Sequence, residues 1–456
     1  MAIETINPAT EALIQSYNEM SEQTVQDIID RTYEVQLAWR DTPFSVRKKA
    51  MLRTAERLIE NKDQYAQIIT TEMGKPITAA RAEIEKCAWV CKYYAKDAEK
   101  LLSPRKIKTN MKKSMVIYRP LGIIFAIMPW NFPFWQVFRF AAPNLMAGNA
   151  GLLSHAPIST GTGQAIEQLF KEAGFPENLF RSLIINNDVA AYVIKHPKVA
   201  GVTLTGSERA GSIVGAEAAS ALKKVVLELG GSDPYIILED ADLELAAEEC
   251  VTSRMSNTGQ VCISPKRLIA VDAIRDKFEQ LVMDKINRYK MNNPMQEDTN
   301  FGPMARKDLR DEVHQQVQQC LQQGATLLTG GEIPNRKGFY YPATALKDVK
   351  KGMPAMDDEI FGPVIVFVDA KDEEEAIQIA NDSRFGLAGG VFTKNIKRGL
   401  DIATNKIRTG TCYVNGFVAS DPRLPFGGIK FSGYGRELSK EGIHEFVNTK
   451  TVCVKY

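Results

Sequence analysis

Residues 223 to 234 read K-K-V-V-L-E-L-G-G-S-D-P, and residues 255 to 267 read M-S-N-T-G-Q-V-C-I-S-P-K-R. The first stretch carries an apolar β-type run, Val225 to Leu227, that ends on Glu228, with Leu229, Gly230 and Gly231 behind it. That pattern predicts a carboxylate at a strand end beside backbone able to bend sharply. The second stretch places Cys262 after Asn257, Gly259 and Gln260, polar and flexible positions suited to a loop that presents a thiol. Most cysteines are small buried hydrophobes and most glutamates are solvated. As a pair, a thiol nucleophile and a carboxylate that activates water are the two groups needed to form and then hydrolyse a thioester.

Outward from this pair, the length of 456 residues exceeds the roughly 250–300 at which one hydrophobic core stops growing, so two or more domains are expected. An apolar fraction of 44% and a charged fraction of 25% are those of a soluble globular chain. A net charge of +2 offers nothing to attract nucleic acid or an anionic membrane. The seven cysteines are scattered and odd in number, unlike a disulfide framework, which predicts a reducing cytoplasm. The start, M-A-I-E-T-I-N-P-A-T, lacks a basic segment leading into an apolar one, and no run approaches the ~20 apolar residues of a membrane span. A soluble, unexported protein is expected.

Residues 22 to 103 read as helices, one of them spanning 45 to 70 with Met51, Leu52, Ala55, Leu58 and Ile59 at helical spacing. Cys87 and Cys91 share a helix face, but two ligands do not close a zinc site; packing is the expected role and no metal is expected. Val116 to Tyr118 predicts one strand, and Ile123 to Met128 is a continuous apolar run suited to a buried parallel strand. P-W-N-F-P (129 to 133) forces a loop at its carboxyl end, where open α/β sheets bind ligands. The next segment reads as a helix ending near Gly148, with Trp135 and Arg139 on one face. On spacing alone, Arg139 serves equally well as a carboxylate clamp or as a structural ion-pair partner.

A β/α rhythm fills 165 to 230, and V-T-L-T-G-S-E-R-A-G turns from strand to helix through Gly206, Ser207 and Gly211. Such a turn offers free N–H groups and a positive helix end to a pyrophosphate. No G-x-G-x-x-G fingerprint is present. The pattern restarts at Tyr235, a long polar helix follows at 306 to 324, and catalysis is expected in the cleft between two α/β domains.

E-L-G-G-S followed 34 positions on, from 228 to 262, by the Cys of G-Q-x-C resembles the aldehyde dehydrogenase superfamily. P-W-N-F-P and P-F-G-G-I-K-F-S-G-Y-G-R-E (425 to 437) resemble it too, and the motifs stand in the family's order over nearly the whole chain. The resemblance implies Cys262 as nucleophile, Glu228 as general base and Asn131 as oxyanion donor, an interaction worth ~3–4 kcal/mol. It implies a cofactor, NAD or NADP, held by Trp130, Ser154, Pro157, Gly206, Ser207, Glu359 and Phe361, with Glu359 on the nicotinamide ribose. It also implies substrate contacts from Trp135, Arg139, Ser420 and Phe426.

The chain departs from the family at G-N-A-G-L-L-S-H-A-P-I-S (148 to 159), where Ser154 and Pro157 stand in place of the family's Lys and frequent Glu. Losing the Glu removes the bar to NADP, losing the Lys removes the cation that attracts it, and weaker cofactor affinity follows. The fold implied is α/β: a Rossmann-like cofactor domain (1–110 and 121–229), a catalytic domain (230–430) and a small β oligomerisation flap (111–120 and 431–456) of a homodimer or homotetramer. F-W-Q-V-F-R-F and N-G-F-V-A-S-D-P-R look most like the bacterial succinate-semialdehyde dehydrogenases, with Arg139 and Ser420 gripping the distal carboxylate. The expected reaction is therefore NAD(P)-dependent oxidation of succinate semialdehyde, or of another small aliphatic aldehyde. The same Cys, amide and Glu also suit an ester or thioester hydrolase, and Ser154 also suits a binding protein with an impaired cofactor pocket.

Overall fold

The computed structural model describes residues 2–456 and contains two large twisted sheets with helices against them. The first has six strands. Counted along the chain, its five parallel strands are Ile123–Met128, Ala150–His155, Phe180–Ser182, Val199–Thr205 and Lys224–Glu228. Their order in space is third, second, first, fourth, fifth, so the direction of winding reverses between Ile123–Met128 and Val199–Thr205. At such a reversal the loops after the two strands splay apart and leave a crevice for a ligand. Ile123 to Ala126 are fully buried, as expected of a strand covered on both faces.

The second sheet has seven strands, all parallel except at one edge, where Thr326–Thr329 runs against Thr344–Lys347. Its centre is Asp233–Ile237 beside Pro265–Val271. Alternate residues serve opposite faces: Ile236 and Ile269 join one apolar cluster, whereas Tyr235, Ile237 and Leu268 join the other. Glu228 therefore closes one sheet and Asp233 opens the other, with E-L-G-G-S-D as the bridge.

The helical layer departs from the sequence expectation at one point. The run 45 to 70 is not one helix but two, Phe44–Glu60 and Lys62–Met73. Asn61 leaves helical geometry (φ −106°, ψ 21°), and its amide donates to Arg57 O at 3.0 Å. An Asn side chain competes for backbone acceptors in this way, which a periodicity count overlooks. Cys87 and Cys91 are fully buried on the helix Ile77–Leu101.

Lys113–Pro120 pairs antiparallel with Val447–Val454 and with Arg105–Lys106 in a separate three-stranded sheet. Only that last strand of the 431–456 segment lies there: Gly433–Tyr434 edges the first sheet against Leu227 and Glu228, and Ser439–Glu445 is a helix packed on Trp135–Ala147. Among the described residues no helix is long and apolar enough to cross a membrane.

Candidate active site

The cysteine loop is held in a conformation that its own residues resist. Asn257 and Thr258 have φ of 51° and 55°, left-handed values that are costly for a β-branched threonine. The loop is held from outside by Arg254, which is fully buried and donates to Val364 O (2.7 Å), Ile360 O (2.8 Å), Gly259 O (3.1 Å) and Ser264 Oγ (2.8 Å). Lys266 donates to Cys262 O and Val261 O and pairs with Glu359 at 3.1 Å. Cys262 keeps a partly exposed surface, but burial of its sulfur pushes the thiol up to about 11, against the pull of Lys266 and Arg139.

Glu228 ends its strand with both carboxyl oxygens buried and without a hydrogen-bond partner. Burial first, then the nearby Glu437, lifts its pKa well above the usual carboxylate range; Arg139 and Arg436 pull the other way. The glycines behind it do not bend sharply, contrary to the sequence expectation. Gly230 and Gly231 lie outside the left-handed region, and what they supply is room. A Cβ on Gly230 would run into the Glu359 carboxylate. Gly427, at φ 152°, brings the P-F-G-G loop so close that a Cβ there would meet Glu228 Oε1 at 2.6 Å. Ser432 then ties this segment down: its backbone O accepts from Leu229 N at 3.0 Å and its hydroxyl donates to Gly230 O at 2.7 Å.

Asn131 is fastened to the cysteine loop by reciprocal bonds. Its Nδ2 donates to Gln260 O at 3.0 Å, and its own backbone O accepts from Asn257 Nδ2 at 2.8 Å. A side-chain amide has two N–H groups, so one remains for a ligand. Beneath it, Glu83 Oε1 accepts from Phe134 N and Trp135 N, both at 2.9 Å, at the start of the helix Trp135–Ala147. Glu83 is paired with Lys75, which stands 3.7 Å from the centre of the Phe132 ring. His155 completes the support by bonding Pro133 O at 2.9 Å and accepting from Ala156 N at 2.9 Å; burial lowers its pKa to about 4, so the ring is neutral.

Cys262, Glu228 and Asn131 line one cleft of about 430 Å³. It opens where the first sheet reverses, and Trp130, Gly206, Ser207, Glu359 and Phe361 line it as well. Trp130 and Phe361 meet edge to face with ring centres 5.8 Å apart. The cleft suits a dinucleotide. Thr205 Oγ1 is buried there without a partner, and Ser207 caps the helix Glu208–Ser220, which places a helix N-terminus, a favourable end for an anion, at the cleft wall. Glu359 accepts from Gly231 N at 3.2 Å, which orients its carboxylate at the cleft wall.

The other expected site residues are not among those that line this cleft. Ser154 and Pro157 stand at the carboxyl end of Ala150–His155, Ser154 partly exposed and Pro157 exposed at the first position of a short helix. Arg139 is buried and lies 2.7 Å from Glu437, which decides for the ion pair; its Nη2 nevertheless has no partner, and its guanidinium sits 4.6 Å over the Phe426 ring. Trp135 Nε1 donates to Ser420 Oγ at 3.0 Å. Four supporting residues escaped the sequence reading: Lys266, Arg254, Glu83 and Glu437. Lys266 carried a signal, a cation that stands with Arg267 at the start of the buried strand Pro265–Val271, ahead of the apolar run Leu268 to Val271; the others act through contacts distant in sequence.

The chain has relatives along its whole length. It is 44% identical over 454 residues to a probable succinate-semialdehyde dehydrogenase [NADP(+)] of Synechocystis, covering all of both chains. It is 45% identical to a succinate semialdehyde dehydrogenase [NAD(P)+] of Escherichia coli, covering 98% of this chain and 99% of that one. Among solved structures, the succinic semialdehyde dehydrogenase of Streptococcus pyogenes in complex with NADP+ superposes with a TM-score of 0.98 at 38% identity, over the full length of both. The profile of the aldehyde dehydrogenase family matches residues 1–452. A thiol, an unpaired carboxyl and a half-free amide thus line one crevice of a chain that matches the family over residues 1–452, and the protein belongs to the aldehyde dehydrogenase family.

Proposed function

We propose that the protein oxidises succinate semialdehyde to succinate with NADP or NAD, using Cys262, Glu228 and Asn131 as its catalytic groups. The observation that carries this reading is the convergence of those three side chains, from three distant segments, on one cleft. The Cys262 thiol gives up its proton to solvent as its sulfur attacks the aldehyde carbon. The free N–H of Asn131, with the backbone N–H of Cys262, donates to the oxygen that gains charge. Bound nicotinamide supplies the acceptor for the hydride that leaves this carbon. Glu228 then takes a proton from water as it attacks the resulting thioester, releasing the acid and restoring the thiol. The substrate assignment is supported by the names of the relatives and by the donors around Ser420. The same reading makes residues 1–110 and 121–229 a cofactor-binding unit, 230–430 a catalytic unit, and Val447–Val454, paired on Lys113–Pro120, an edge strand that a second copy covers.

The deciding experiment follows reduced-cofactor absorbance with each cofactor and either succinate semialdehyde or butanal, an uncharged aldehyde of equal length. Preferred turnover of succinate semialdehyde is expected. Hydrolysis of an activated ester without any cofactor reduction by an aldehyde would overturn the reading in favour of a hydrolase.

Cofactor choice is separately testable. Ser154→Lys adds a cation where the adenosine ribose is expected, and a charge-assisted hydrogen bond is worth ~1.5–3 kcal/mol, so KM for NADP should fall by roughly tenfold or more, and by less for NAD. Equal changes for both cofactors would remove Ser154 from the ribose site.

A further inference from the structure

Lys86, on the helix Ile77–Leu101, belongs to none of the family motifs. Its ammonium donates to Ser420 Oγ at 2.9 Å and stands 4.4 Å over the Trp135 ring, while Trp135 Nε1 donates to the same oxygen at 3.0 Å. Two donors occupy the lone pairs of the hydroxyl, so its single proton is left to donate elsewhere. Lys86 uses one of its three N–H groups on Ser420 and keeps the others. Arg139 is the neighbouring cation: its charge bears on both Lys86 and the Cys262 thiol. Its buried Nη2 is unpartnered.

The charges are unevenly matched. Arg139 is compensated by Glu437 at 2.7 Å, and Asp421 is taken up by Arg423. Among the described residues no carboxylate lies within ion-pair distance of Lys86. A partly buried ammonium without a counterion, beside a hydroxyl proton and a free guanidinium N–H, is the composition of a carboxylate site.

We propose that Lys86 is the specificity-determining cation of this enzyme, receiving the distal carboxylate of the substrate together with the Ser420 hydroxyl and Arg139 Nη2. The inference rests on the succinate semialdehyde reading and deepens it. It assigns the uncompensated charge to Lys86, with Arg139 held chiefly by Glu437. Burial and the neighbouring Arg139 hold the ammonium down at about 8, and the charged or titratable groups facing it are Arg139 from Trp135–Ala147, Glu83 and Cys87 from its own helix, and Asp421 from the loop after Ser420. The cation is present below that pH and lost above it, so KM for succinate semialdehyde should climb above pH 8 while KM for butanal does not follow.

The test uses the full chain with saturating NADP and compares kcat/KM for succinate semialdehyde and for butanal in the parent, Lys86→Met and Lys86→Arg. The succinate semialdehyde to butanal ratio should fall by ~10- to 100-fold in Lys86→Met, the loss lying mainly in KM, and should largely return in Lys86→Arg. A ratio within twofold of the parent in Lys86→Met overturns the inference while leaving the substrate reading intact. A parent with no preference for succinate semialdehyde overturns both. If Lys86→Met fails to fold, the parent's pH profile decides: parallel KM curves for the two aldehydes across pH 8 overturn the inference.

Discussion

Replacing Cys262 by Ala is expected to abolish aldehyde oxidation, with kcat reduced at least ~10⁴-fold, because no other group in the cleft can form the covalent bond that the chemistry needs. The other free thiols are not in reach: Cys87, Cys91, Cys250 and Cys320 are buried elsewhere, and Cys412 and Cys453 do not line the cleft. The variant should still fold, since the loop is shaped by Arg254, Asn257 and Gln260 rather than by the sulfur. A melting temperature that rises on adding NADP, as in the parent, would verify this. Turnover within tenfold of the parent would remove Cys262 from the chemistry. The reactivity of the thiol in the absence of ligands supplies a further check. With its pKa at about 11, the thiolate is scarce at neutral pH, so alkylation of Cys262 by iodoacetamide should be slow there and accelerate as pH rises.

Replacing Glu228 by Gln should reduce kcat by roughly 10²- to 10⁴-fold, and it should do so at a particular step. Glutamine keeps the size of the side chain and cannot accept the water's proton, so hydride transfer proceeds once while thioester hydrolysis stalls. A burst of reduced cofactor of about one equivalent per site should appear, and intact mass should show the succinyl adduct on Cys262. Unchanged steady-state turnover would show that water is activated elsewhere. The pH dependence has a definite sign. Burial and Glu437 raise the Glu228 pKa, so its base form fills at a higher pH than that of an ordinary carboxylate and its fraction grows as pH increases. Hydrolysis in the parent should therefore accelerate with pH, and the Gln variant should lose that dependence.

Much of this was legible along the chain. The apolar run 123 to 128 is a buried parallel strand, the turn at Gly206 and Ser207 leads from strand to helix, and the helix after P-W-N-F-P closes at Gly148, whose φ is 98°. These features rest on periodicity and on the conformational preferences of Gly and Pro, which act within a few residues and so are written locally. The glycines of E-L-G-G were legible as glycines but not for the right reason: Gly230 makes way for Glu359, which lies more than a hundred residues further on, and Gly231 for Asp233 and Leu387.

The sequence by itself determined the α/β class, the strand ends that carry Glu228 and Asn131, and the loop that carries Cys262. The tertiary structure alone decided that these three face one crevice, that Arg139 is matched by Glu437, that Arg254 holds a strained loop in place, and that Lys86 lacks a counterion. The reason is physical. Propensity and patterning act between near neighbours, whereas the charge state and partner of a buried group depend on which distant segments desolvate it, and only the packed chain brings those segments together.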